Sequence, residues 1–211
     1  MIDYSSYNEL KKSQGYIPDE DFNVFVIDNV LTKENISYIY DNIDKGTETM
    51  QSWGGRKSLS VPPSQSLELN LNTIMTMKMR QNMELKEFFF VRYSKEYGFE
   101  SKLFPHYDNR KAQRITLDIQ LNATEDWGIV VEGDTTTLKY NQGLVFAGTQ
   151  QIHWRENKKI SNDSVIDMLI CNFAHNPERP LVDGQVEKLV ERSNFLIDIT
   201  GIGNKDQEIS Y

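Results

Sequence analysis

The chain has 211 residues, 38% of them apolar and 11% aromatic, enough for one domain with a substantial core. A formal net charge of -8 argues against a phosphate backbone as partner, since duplex binding relies on clustered Lys and Arg, and no window approaches the roughly 18 apolar residues of a spanning helix. Cys171 is the only cysteine, which excludes an internal disulfide and a multi-cysteine zinc site, and the first residues lack a basic region followed by an apolar segment; a cytoplasmic protein without nucleic-acid or membrane partners is expected.

The first clear element is a strand over Phe22 to Val30. Thr32 then serves as a helix N-cap, with Glu34 in the first turn and Ile36, Ile39, Tyr40 and Ile43 at helical spacing, so a helix is predicted to end near Gly46. The stretch from Gly46 to Pro63, which carries Trp53-Gly54-Gly55-Arg56, reads as a loop, either a lid over a cavity or plain surface. Leu67, Leu69 and Leu71, followed by Met75, Met79 and Met83, predict a second helix whose methionines fill core gaps.

From Glu87 onward the texture changes to short strands rich in aromatic and β-branched residues: Phe88–Tyr93, Arg114–Leu121, Gly128–Val131, Thr136–Leu138, Leu144–Ala147 and Val165–Phe173. Turn signals at Asp126, Gly133-Asp134, Asn141-Gln142-Gly143 and Ser161-Asn162-Asp163 separate them. Helices followed by many short strands predict a mainly β (α+β) fold, an antiparallel double-sheet barrel with helices on one side. A structural helix around Gln185–Arg192 closes the chain, with Val186, Leu189 and Val190 on one face. The chain is thus expected to form a single domain over 1–211: an N-terminal strand and helices over 22–86, a barrel core over about 87–175 and a C-terminal helix and tail over 176–211.

Only three histidines occur. His106 and Asp108 lie two apart, so on an extended segment their side chains share a face, and the intervening strands leave room for His153 to fold back beside them. Two imidazoles and one carboxylate on one face of an octahedral ion leave open positions opposite, as in non-haem Fe(II) oxygenases. His175 is expected in a loop outside the site. Cys171 reads as a buried small hydrophobe, and Trp127 and Trp154 as core closure.

Five pieces in order carry a family resemblance: Val91-Arg92-Tyr93; Leu103-Phe104-Pro105-His106-Tyr107-Asp108; Arg114-Ile115-Thr116-Leu117 running into Gln120-Leu121-Asn122; Gly143-Leu144-Val145-Phe146; and His153-Trp154-Arg155-Glu156. In these the chain resembles the 2-oxoglutarate and Fe(II)-dependent oxygenases of the prolyl-4-hydroxylase-like type, whose barrel is a double-stranded β-helix, or cupin-like jelly roll. The resemblance implies that His106, Asp108 and His153 ligate iron and serve catalysis, with 2-oxoglutarate and O2 as co-substrates and ascorbate as reductant. It implies that the Tyr93 hydroxyl holds 2-oxoglutarate, the alternative being a half-buried strand tyrosine. Gln120 stands where the family has a co-substrate-binding tyrosine.

The basic residue that the family places beyond the distal histidine is missing, its positions being Asn162, Asp163 and Ser164 here. Arg155, with Lys158 and Lys159 behind it, is the candidate replacement, the alternative being an ion pair with Glu156 or an acidic neighbour. The implied reaction is hydroxylation of a C–H bond in a peptidyl (prolyl-type) or small-molecule substrate, releasing succinate and CO2. Alkylation-repair demethylases share the triad, but their arginine signature is missing after His153. The competing reading is a non-catalytic metal- or ligand-binding jelly-roll module.

Overall fold

Strand alternation builds two antiparallel sheets, and from Met83 onward the chain passes back and forth between them. The computed structural model describes residues 2–49, 55–97, 100–108 and 112–203. The elements run α1 Ser5–Gln14, β1 Phe25–Ile27, α2 Lys33–Asn42, a 3-10 turn Ile43–Lys45, β2 Thr47–Glu48, β3 Arg56–Ser60, α3 Gln65–Met79, β4 Met83–Ser94, a second 3-10 turn Lys95–Tyr97, β5 Glu100–His106, β6 Ile115–Ala123, β7 Ile129–Val131, β8 Asp134–Thr136, β9 Gly143–Phe146, β10 His153–Lys159, β11 Val165–His175 and α4 Gln185–Thr200. The larger sheet has the order β1-β9-β6-β11-β4-β3-β2 and the smaller β5-β10-β7-β8. From β4 to β11 the chain visits the larger sheet at β4, β6, β9 and β11 and the smaller at β5, β7, β8 and β10, which is the winding of a double-stranded β-helix.

Three apolar clusters fix this arrangement. On the outer face of the larger sheet, Phe88, Phe90, Leu117, Leu169 and Cys171 pack against Ile39 of α2 and Leu67, Leu71 and Met75 of α3. Between the sheets lie Val91, Tyr93, Val131, Phe146 and Met168. On the outer face of the smaller sheet, Phe104, Val130 and Trp154 meet Tyr7 of α1 and Leu189, Leu196 and Ile197 of α4. Among the described residues no helix is long and apolar enough to cross a membrane.

The helix expected after Thr32, α2, begins as expected, with the Thr32 hydroxyl accepting from the Asn35 N–H, though it ends at Asn42 and a 3-10 turn carries the chain to Gly46. The strand expected over Phe22 to Val30 shortens to β1, three residues on the edge beside β9. The expected 46–63 loop is a correction: Arg56–Ser60 forms β3, paired residue for residue with β4, so this part is sheet and not lid. Trp53 and Gly54 lie outside the described residues. The helix predicted from the leucines and methionines ends at Met79, and Met83 opens β4; Leu67, Leu71 and Met75 turn inward whereas Leu69 stays 66% exposed. His175 is no loop residue but the buried end of β11. α1 had no apolar periodicity to reveal it, since Tyr7 is its only buried residue.

Leu71 and Leu69, two positions apart on α3, separate packing from propensity. Leu71→Ala is expected to cost about 2–5 kcal/mol in urea unfolding and Leu69→Ala less than about 0.5 kcal/mol; equal effects would contradict the burial pattern.

Candidate metal centre and active site

The site is made by register. β5 and β10 run antiparallel with His106 directly opposite His153, which sets the two imidazoles side by side on the inner face, ring centroids 4.2 Å apart. The pairing slips by one residue between His153↔His106 and Arg155↔Leu103, a bulge on β5 at the stretch containing Pro105, where a ladder without an N–H is tolerated. Two residues past His106, Asp108 is anchored by its N–H donating to the Gly148 carbonyl at 2.7 Å. Its Oδ1 lies 3.5 Å from His153 Nε2 and 3.8 Å from His106 Nε2, and one donor atom from each of the three residues falls within 4.8 Å of the others.

Both imidazoles are held in the tautomer that a metal needs. His106 Nδ1–H donates to the Phe104 carbonyl at 2.9 Å and His153 Nδ1–H to the Gln151 carbonyl at 3.1 Å, so each Nε2 faces the shared space, where a metal would take the place of any proton on it. The elements around them are braced from outside the barrel. Ser193 of α4 donates its hydroxyl to the Pro105 carbonyl beside His106. Glu132, in the turn from β7 to β8, accepts from the Ile152 N–H at 2.6 Å beside His153 and is itself held by Lys11 and Tyr7 of α1.

The charges follow from burial and proximity. Burial is the largest influence on His106 and, with the charge of His153, lowers it to about 3, so it stands neutral. Burial would lower His153 as well, but the Asp108 charge and hydrogen bond outweigh it and raise its pKa. Burial would raise Asp108; His153, His106 and the Thr116 hydroxyl reverse that and hold it at about 2. Two imidazole lone pairs and an ionised carboxylate facing one point form a donor set suited to a divalent ion such as iron.

The cavity against this triad is lined by Arg56, Phe89, Asp118, Ile170 and Asn172 together with Thr116 and Leu103. Arg56, on β3, donates from Nη1 to the Tyr93 hydroxyl at 3.2 Å. It escaped the sequence reading because it sat in an apparent loop; the alternation Arg56, Ser58, set against Leu59 in the core, was the available signal. Arg155 is 2% exposed on the same face as His153, over the Trp127 ring at 4.8 Å and the Tyr93 ring at 5.8 Å, with Nη1 donating to the Trp127 carbonyl. It makes no ion pair with Glu156, which is exposed.

The Gln120 amide donates to the Asn122 carbonyl and, at 2.9 Å, to the Asp167 carbonyl at the bulge between β6 and β11. Asp118, unmarked in the sequence, is a buried acid whose Oδ1 has no hydrogen-bond partner; burial raises it to about 6 against the pull of His153, Arg155 and Arg56. Trp154 is fully buried core, as expected, and the Cys171 thiol is buried, with its pKa pushed up by that burial.

No known family profile matches the sequence, and no curated protein matches it. Solved structures do match, with 202 chains similar in fold. SnoN, the non-haem alpha-ketoglutarate-dependent epimerase of nogalamycin biosynthesis, is 12% identical, with 96% of this chain and 92% of that one covered at a TM-score of 0.57. HygX from Streptomyces hygroscopicus, with nickel, 2-oxoglutarate and hygromycin B bound, is 9% identical over 71% of this chain and 82% of its own, at 0.53. The viral collagen prolyl hydroxylase of Paramecium bursaria Chlorella virus-1 is 12% identical over 78% and 97%, at 0.51. The chain therefore has the jelly-roll fold of the 2-oxoglutarate/Fe(II) oxygenases.

Two outcomes follow from the site. A Cβ at Gly148 would lie 2.1 Å from Thr116 Oγ1 and 2.5 Å from Asp108 Oδ2, so Gly148→Ala is expected to weaken Mn(II) binding in calorimetric titration by at least about tenfold. Mn(II) must also displace the proton that His153 keeps above the usual imidazole range, so affinity is expected to fall as pH falls, by up to about tenfold per unit between about pH 7 and 5.5. A flat profile there would contradict the assignment of His153 as a ligand.

Proposed function

We propose that the protein is an Fe(II)- and 2-oxoglutarate-dependent oxygenase that hydroxylates a C–H bond of a peptidyl (prolyl-type) or small-molecule substrate, releasing succinate and CO2. The observation that carries this reading is the convergence of His106 Nε2, His153 Nε2 and Asp108 Oδ1 with both tautomers already set. His106, Asp108 and His153 would hold Fe(II), which with 2-oxoglutarate and O2 as co-substrates would supply the oxidising chemistry, with ascorbate as reductant. The neighbours support both substrate classes, one holding hygromycin B and another being a collagen prolyl hydroxylase.

The chain's own residues bind and orient. With Asn162, Asp163 and Ser164 lacking a cation, the far carboxylate of 2-oxoglutarate goes to Arg56, whose guanidinium lines the cavity and is steered by the Tyr93 hydroxyl. Arg155 stands behind as a second positive charge, oriented by the Trp127 ring and carbonyl. The buried apolar wall of Val91, Phe146 and Met168 excludes water from the space between the sheets. One observation favours the non-catalytic module instead: Asp118 places an acid in the same cavity, where it would repel an incoming dicarboxylate unless the two arginines offset it.

Thermal unfolding separates the readings. Mn(II) followed by 2-oxoglutarate is expected to raise the melting temperature in two steps, with the second equivalent to about 2.7 kcal/mol at a hundredfold excess over Kd. With Fe(II) and ascorbate the protein is expected to form succinate, and Asp108→Ala to form none. Arg56→Ala is expected to raise the 2-oxoglutarate Kd about 10- to 100-fold at unchanged Mn(II) affinity, the effect of losing a hydrogen bond to a charged group. A first step without a second would sink the oxygenase reading and leave the module.

A further inference from the structure

Asp108 lies two residues past the end of β5, where its backbone N–H donates to the Gly148 carbonyl. A carboxylate turns readily about its terminal torsion, which has broad, roughly two-fold preferences, and presenting one chosen oxygen to an ion therefore needs a partner on the other. That partner is Thr116 of β6, whose hydroxyl donates to Asp108 Oδ2 at 2.7 Å while Oδ1 faces the two imidazoles.

The same hydroxyl lies 2.9 Å from Asn172 Oδ1, and Asn172 Nδ2 donates to Glu87 Oε2 at 3.0 Å. Thr116, Asn172 and Glu87 are direct cross-strand partners on β6, β11 and β4, a straight row over three central strands. A hydroxyl has one proton, and the charged carboxylate takes the larger share of it, with Asn172 as the second arm of a three-centre bond. Gly148 closes the arrangement from the opposite side, because any Cβ there would meet both Thr116 and Asp108.

We infer that the row Glu87–Asn172–Thr116 is a set of positioning residues for the metal centre, fixing Asp108 as a one-oxygen ligand with Oδ1 turned to the ion. The inference rests on the metal centre of the proposed function and deepens it. Rigid strands carry the row, so the ligand oxygen is held by the sheet and not by the bend in which Asp108 sits. Partners of this kind, hydrogen-bonded to a ligating group, change metal affinity about 10- to 100-fold when removed.

The test is calorimetric titration of the full chain with Mn(II) alone, with the metal-free melting temperature followed in parallel. Thr116→Val, which keeps the shape and removes the donor, is expected to bind Mn(II) about 10- to 100-fold more weakly, whereas Thr116→Ser restores affinity to within about threefold. Asn172→Ala is expected to fall between them. A purely packing role would give the reverse order, with valine tolerated and serine not. Wild-type affinity in Thr116→Val overturns the inference, and if that variant does not fold, wild-type affinity in Asn172→Ala overturns it. Failure of the wild type to bind Mn(II) overturns the metal centre itself and this row with it, an outcome distinct from the other two.

Discussion

The pairing of β5 with β10 is the constraint on which the site depends. Because side chains alternate with a period of two, a one-residue slip in that ladder would send His106 to the outer face while His153 stayed inside. The bulge near Pro105 absorbs one residue of β5, so that Leu103 and His106, three apart in the chain, both face the cavity. The clamps on this pair come from outside the barrel. α4 holds the β5 side through Ser193, and α1 holds the approach to β10 through Glu132, so the terminal helices contribute to the chemistry without touching it.

Charge is distributed along the cavity in a way that suits its proposed occupants. Asp108, the imidazoles and Arg56 line it, and Arg56 donates to the Tyr93 hydroxyl, over whose ring Arg155 lies. Asp118, on β6, lines the same cavity with an Oδ1 that has no hydrogen-bond partner. A buried acid between two guanidinium groups lowers the net positive charge that a dicarboxylate would meet, without removing it.

Much of this was legible in the sequence, for reasons that differ by element. His106, Asp108 and His153 were readable because few histidines occur and two of them fall in motif context; the strands after Glu87 were readable from β-branched and aromatic runs between turn signals. What was hidden depended on partners remote in the chain. β3 looked like a loop because Gly54 and Gly55 precede it, and its identity as a strand comes from pairing with β4, so Arg56 went unnoticed. α1 buries a single tyrosine, which no periodicity can announce. The turn of the Gln120 amide to backbone carbonyls depends on the bulge opposite Asp167, a tertiary choice that local pattern does not carry. Asn172 and Gly148 carry no signature of their own, and Thr116, though inside a motif piece, meets Asp108 and Asn172 only where β6, β11 and the turn after β9 come together.

The measurement closest to the central claim is the anomalous difference map of a crystal grown with Mn(II). The account predicts one strong peak within bonding distance of His106 Nε2, His153 Nε2 and one oxygen of Asp108, with Thr116 on the other oxygen. A map with no peak among these three residues, or with Mn(II) bound only elsewhere, would contradict it.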